Sequence, residues 1–260
     1  MKKIRNLLSR IKYQIVSFFI NENYWKKRVE KKHQIEALKV VDLVYFTRGK
    51  GKLSTVTFLG EGSMLTDLLL LKSICGGIKD CKYFEIGTWR GESVANVCEN
   101  TAISYTMNLS KEEMAKMQLP SDYIDIHGVL SKGNPKIIHL FGNTLTYDFE
   151  KLNQKFDVIF IDGDHHYKMV KNDTEKVFKH LVHENSIVVW HDYAFAPEKI
   201  RYEVFAAILD GTPKEIHSNI YQPSHTMCAI YWNKQIKTQE FTQNKPPKTL
   251  FNVEIEMNNL

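Results

Sequence analysis

A chain of 260 residues with a net charge of +5 is sized for one α/β domain with an elaboration, and its ordinary apolar and charged fractions exclude a disordered or membrane-spanning class. The charge is uneven. Residues 1–50 hold 13 Lys/Arg against 4 Asp/Glu, a balance of +9, and the remainder is at −4, so the main body lacks the basic surface that a nucleic-acid cleft requires.

The first twenty residues place Ile4, Leu7, Leu8, Ile11, Ile15, Phe18 and Phe19 at helical spacing, with Lys2, Arg5, Arg10 and Lys12 largely off that face. Two readings of this basic amphipathic helix stay open. It packs on its own domain or a second copy of the chain, or it docks on an anionic membrane surface. Its apolar face is interrupted by Arg10, Lys12 and Gln14 and no small-residue cleavage site follows, so a secretory leader is not expected. A second helix is expected over Glu22 to Tyr45. The four cysteines lack metal-ligand spacing and read as free thiols in a reducing compartment. The expected location is cytoplasmic, with a peripheral place at the inner membrane surface as its variant.

From Met64 the pattern becomes regular. A helix over Leu65 to Ile74 stops at Gly76-Gly77, as a glycine C-cap directs. Strands then alternate with helices: Tyr83–Gly87, then helix Glu92–Asn100; Ile103–Met107, then helix Lys111–Met117; Lys136–Phe141, then a short helix near Phe149–Asn153. Strand Val158–Ile161 precedes helix Lys168–Leu181, and strand Ile187–Trp190 precedes helix Pro197–Leu209. This alternation predicts a three-layer α/β/α, doubly wound Rossmann-like fold with a mostly parallel sheet. Glu215–Tyr221 and Met227–Trp232 read as an antiparallel hairpin at the sheet edge, and Leu250 to Glu256 as a further edge strand. The expected divisions are a helical elaboration over 1–63, the main domain over 64–235 and an extension over 236–260.

The chemistry gathers at strand ends. The run Val158–Ile161 stops in Asp162-Gly-Asp-His-His166, and the run to Trp190 stops in His191-Asp192. In open α/β sheets ligands bind at the carboxyl ends of strands, so neighbouring strands would face these tips across one cleft. Either tip alone could be only an Asx turn and a helix cap. Both together, with a glycine turn at Gly87–Gly91, favour a working site. That turn, Glu85-Ile-Gly-Thr-Trp-Arg-Gly-Glu-Ser93, lacks the nicotinamide fingerprint because Trp89 stands two residues after Gly87.

These motifs resemble the class I S-adenosylmethionine-dependent methyltransferases, in the branch that reads E-I-G-x-x-x-G-x-S, then I-D-G-D-H-x-Y, then H-D-Y. The likeness covers about residues 68–232. It implies S-adenosylmethionine as cofactor, with Glu85, Gly87, Thr88, Gly91 and Ser93 around its methionine part and Asn143 and Thr144 beside its adenine. It places Asn108 on the ribose, where the family carries an acid, and Asp162 also against the cofactor. An amide there forgoes the stronger charge-assisted bonds of a carboxylate.

The branch also resembles metal-dependent O-methyltransferases, which implies a divalent cation on Asp162, His191 and Asp192. Oxygen ligands suit Mg2+ and an imidazole shifts preference toward Mn2+. Asp164 is the expected base, slightly ahead of His165. The expected acceptor is a hydroxyl of a small molecule or glycan, a glycosyl hydroxyl first. Trp89, Arg90 and Tyr193 are candidates to line the cleft, His225 is a candidate acceptor contact, and His180, His183 and His217 read as packing or surface residues. A metal-dependent hydrolase and a non-catalytic binding protein on the same scaffold remain as alternatives.

Overall fold

The computed structural model describes residues 21–60, 62–243 and 246–259. Residues 21–33 are helical (α1), followed by β1 (Lys39–Val41), a single turn α2 (Val44–Thr47) and α3 (Leu65–Gly76). Next come β2 (Lys82–Ile86), α4 (Glu92–Val97), β3 (Ile103–Asn108), α5 (Lys111–Lys116), α6 (Ser121–Asp125), β4 (Ile137–Phe141) and β5 (Val158–Ile161). The remaining elements are α7 (Tyr167–His180), β6 (Ile187–Trp190), β7 (Ala194–Ala196), β8 (Lys199–Ile200), α8 (Tyr202–Gly211), β9 (Ile220–Pro223) and β10 (Ala229–Tyr231).

Eight strands make one sheet in the order β1-β9-β10-β6-β5-β2-β3-β4. The run from β6 to β4 is parallel, β10 is antiparallel to both its neighbours, and β1 lies parallel to β9. β5 and β6 are buried at every position, because helices cover both faces of the sheet. Alternate side chains part to opposite layers. Val158 and Phe160 join the layer of Leu70, Leu71, Val94 and Val97 from α3 and α4. Ile159 and Ile161 join that of Val170, Val177, Val204 and Phe205 from α7 and α8. Burying the six named side chains of each layer, at ~1.5–3 kcal/mol each, holds the central strands in one register. That register pairs Ile86 with Ile161 and Ile161 with Trp190, so the three strands end level with one another.

Several elements depart from the local pattern. The helix expected over Glu22 to Tyr45 ends at residue 33, where Gln34 turns to a φ of 60°. The β-branched pair Val40-Val41 then joins the sheet, with Val41 against Pro223. The helix expected from Pro197 begins at Tyr202, since residues 194–200 form the hairpin β7–β8. Its cap comes from far away: the Tyr202 N–H donates to Glu22 Oε2 at 2.9 Å. The hairpin β9–β10 forms, but residues 214–219 are a 3-10 turn, and β1 lies outside the hairpin. Residues 250–256 are not a strand, and Leu250, Val253 and Ile255 are exposed. Contact with the β1 edge is made instead by Gln239, which exchanges both backbone bonds with Val40 at 2.8 and 2.9 Å. α6 had no clear signature in the sequence.

A buried carboxylate fastens α1 to the domain. Asp210 of α8 accepts from Arg28 (2.7 Å), Lys32 (2.6 Å) and Tyr167 OH (2.6 Å), and lies 2.7 Å from His33 Nε2. Trp25 stacks on Tyr167 with centroids 4.6 Å apart. All four cysteines are free and buried. Among the described residues no helix is long and apolar enough to cross a membrane. The amphipathic stretch of residues 1–20 lies outside the described residues.

Candidate active site

The glycine turn is shaped by its neighbour strand. Gly87 has a φ of +99°, and a Cβ there would stand 1.9 Å from the Asp162 carbonyl oxygen. Gly91 has a φ of +88°, and its Cβ would meet Ser131 Oγ at 2.3 Å. Both positions demand glycine for backbone conformation and for close packing. Beneath the turn, Glu85 is wholly buried and accepts from Tyr83 OH (2.8 Å), Ser93 Oγ (2.8 Å) and Thr106 Oγ1 (2.7 Å). Thr106 Oγ1 in turn lies 2.6 Å from Thr88 Oγ1. Burial pushes the Glu85 carboxyl up to about 8, against the opposing pull of those three hydroxyls.

Above the turn opens a cleft of about 880 Å3, bordered by Gly87, Thr88, Gly91, Ser93, Asn108, Asn143, Thr144, Asp162, Asp164, His165, His191 and Asp192. Of the cofactor, cation and base candidates named from the sequence, all border this cleft except Glu85, which supports its floor through Ser93, Thr106 and Thr88. Trp89 and Arg90 also border it, and Tyr193 does not: its hydroxyl is buried and accepts from the Leu38 N–H at 3.1 Å. His225 lies against Phe251, 5.3 Å between centroids, away from the cleft lining. The sequence reading missed an apolar wall of Met107, Met114, Met117 and Leu119, and missed Tyr123, His127, Arg201 and Met227. Tyr123 and His127 pack with Trp89 at 4.9 and 5.0 Å. They come from the segment between β3 and β4, where no motif marks them.

At the floor the tips of β5 and β6 meet. His191 Nδ1 lies 3.0 Å from Asp162 Oδ1 and 3.6 Å from Asp192 Oδ2, and the three ligand atoms fall within 4.8 Å of one another. The other ring nitrogen, Nε2, lies 3.2 Å from Asp67 Oδ2. Asp67 was passed over in the sequence, although a carboxylate in the apolar run Leu65–Ile74 was the available signal. Burial opposes charge on His191, but Asp162, Asp192 and Asp67 outweigh it and raise its pKa well above the ordinary value. Asp192 is held low by His191 and Arg201 despite burial, which pushes the other way.

The two candidate bases have different surroundings. Asp164 Oδ1 accepts from the His166 N–H at 2.7 Å and lies 2.6 Å from His166 Nδ1, so it braces the start of α7. His165 lies with Nδ1 3.7 Å from Asp192 Oδ2, and burial, then Arg201, push its pKa down.

Residues 84–193 match the family model described as a methyltransferase domain. Over that stretch the chain is similar to this family. An uncharacterised protein of Acanthamoeba polyphaga mimivirus is 29% identical over 126 residues, covering 44% of this chain and 52% of that protein, so the chain spans about half the length of that curated relative. Among solved structures, the O-methyltransferase from Bacillus cereus in complex with S-adenosylhomocysteine aligns at a TM-score of 0.45 and 13% identity, over 67% of this chain and 84% of that one. The S-adenosylmethionine-bound amino pentose methyltransferase from Micromonospora echinaspora aligns at 0.37 and 11%, over 52% of each chain. Likenesses this distant say nothing about substrate.

The residues of the cleft fit a small cationic ligand at the β5–β6 tips. Three carboxylates (Asp67, Asp162, Asp192) surround one imidazole, and Arg201 Nη1 stands 3.8 Å from Asp192 Oδ1. With the imidazole neutral, three carboxylates against Arg201 leave a surplus of negative charge in a half-buried place, which a divalent cation would offset. The turn side fits an adenosyl group with less charge: Asn108 closes β3, and Asn143 and Thr144 follow β4 on the same rim. Trp89 Nε1 is buried with no hydrogen-bond partner among the described residues, leaving a donor for a bound molecule to satisfy.

Proposed function

We propose that this chain transfers the methyl group of S-adenosylmethionine to a hydroxyl of a small molecule or glycan, assisted by a divalent cation on Asp162, His191 and Asp192. The observation that carries this reading is convergence. Two carboxylates and an imidazole from adjacent strand ends meet within 4.8 Å, on the floor of the cleft that the Gly87–Gly91 turn also borders.

S-adenosylmethionine supplies an electrophilic methyl group on sulfur, and the new C–O bond forms as the S–C bond breaks. The cation, when bound, lowers the pKa of a hydroxyl beside it. The chain's own residues supply alignment and a place for the proton. Thr88, Gly91 and Ser93 border the side where the donor's methionine end would lie, and Asn108 offers amide hydrogen bonds to ribose hydroxyls. Asp162 is shared between the two halves of the cleft. His165 is the favoured base, because its depressed pKa leaves it neutral near pH 7, with a ring nitrogen able to accept the acceptor's proton. Asp164 is already committed to His166.

The test is release of S-adenosylhomocysteine over a panel of hydroxylated sugars and phenols, with EDTA and then with added Mn2+ or Mg2+. Turnover that chelation stops and cation restores is the expected result. Turnover that chelation leaves intact removes the cation from the reaction, and hydrolysis of an ester without any methyl donor replaces the reading altogether.

A further inference from the structure

Asp67 lies outside residues 84–193, on the first turn of α3, and it is wholly buried. Its Oδ2 accepts from the Met64 N–H at 2.9 Å and its Oδ1 from the Met227 N–H at 2.9 Å, with Cys228 Sγ 3.6 Å away. A helix-capping role accounts for the Met64 bond alone. It does not account for the bond to Met227, which comes from the segment before β10, or for the 3.2 Å approach to His191 Nε2. Two backbone donors from separate segments pin this carboxylate, so it cannot turn away from His191 without orphaning one of them.

We infer that Asp67 is a positioning residue for His191: its Oδ2 accepts a hydrogen bond from Nε2–H, so that the Nδ1 lone pair points between Asp162 and Asp192. A histidine that ligates a metal through one nitrogen needs its other nitrogen fixed, and a carboxylate behind the ring does this and strengthens the ligand. The inference rests on the proposed cation site, yet the ring's protonation pattern tests it independently.

The experiment uses the full chain and its Asp67→Ala variant, with three readouts: Mn2+ binding by calorimetry, S-adenosylhomocysteine binding by calorimetry, and the His191 ring nitrogens by NMR at a pH above its titration. In wild type the neutral ring carries its proton on Nε2. In Asp67→Ala the carboxylate that faces Nε2 is gone, and the ring proton moves to Nδ1, which lies 3.0 Å from Asp162 Oδ1. Mn2+ affinity then falls ~10–100-fold, while S-adenosylhomocysteine affinity is kept, which a merely structural loss would not do. A wild-type ring protonated on Nδ1 overturns the inference whether or not any variant folds, as does a variant with unchanged ring state and unchanged Mn2+ affinity. If wild type binds neither Mn2+ nor Mg2+, the cation site fails, and the shift of the ring proton on substitution still decides the role of Asp67.

Discussion

His165 and Asp164 stand side by side on one loop, and their surroundings separate their roles. Asp164 holds the His166 N–H at 2.7 Å, as a residue at a helix start does, whereas burial and Arg201 push the His165 pKa down. Replacing His165 with Ala should lower kcat by ~10²-fold or more with little change in donor affinity, while Asp164→Ala should cost mainly stability. Steady-state rates of the two variants decide this, and equal loss from both would return the proton to Asp164. Glu85 makes a different prediction. Its carboxyl is raised from 4.5 to about 8, chiefly by burial, so between those values the fold holds a proton that the unfolded chain releases. Its contribution to stability is full below about pH 4.5 and is lost as pH rises through about 8. In Glu85→Gln the urea midpoint should therefore fall less steeply with pH than in wild type; parallel pH profiles would show that Glu85 keeps its ordinary pKa. The strand-tip residues were legible because each set is contiguous in sequence. Asp67 was not, since it meets His191 across 124 positions, and its place in the apolar run Leu65–Ile74 marks it as unusual without naming its partner.

At the scale of elements, apolar runs flanked by turn residues were enough to place β2 to β6 and, α6 apart, the helices between them. What local pattern could not show was settled by distant contacts. Val40 and Val41 became an edge strand because β9 lay free to pair, and α8 starts at Tyr202 because Glu22 caps it from α1. Charge density alone favoured one continuous helix over that region. α1 is itself held by Asp210, whose side chain is 1% exposed against 33% for Arg28 and 53% for Lys32. Burial pushes the Asp210 carboxyl up, but the bonds from Lys32, Tyr167, Arg28 and His33 hold it below the usual carboxylate range. Asp210→Ala should cost about 2–3 kcal/mol, short of the ~3–5 kcal/mol of a fully buried pair because Arg28 and Lys32 can reach water. Amide exchange in residues 21–33 should accelerate before that of the sheet. Uniform acceleration across the domain would show that α1 and the sheet open as one unit.

For the whole molecule, the parallel strands from β4 to β6 bring the glycine turn, the Asn108, Asn143 and Thr144 rim and the acidic tips to one end of the sheet. The helices on either face bury the strands and leave that end open. The wall of the cleft formed by Met114, Met117, Tyr123 and His127 was the least legible part, because these residues come from a segment between β3 and β4 whose placement depends on tertiary packing alone. The central claim is that donor and cation share this one cleft. Calorimetric titration of the full chain with S-adenosylmethionine and S-adenosylhomocysteine, without and with Mn2+, tests it most directly. The expected result is saturable binding of both, together with Mn2+ binding that Asp162→Ala abolishes. Absence of binding by either adenosyl compound, with or without cation, would contradict the account.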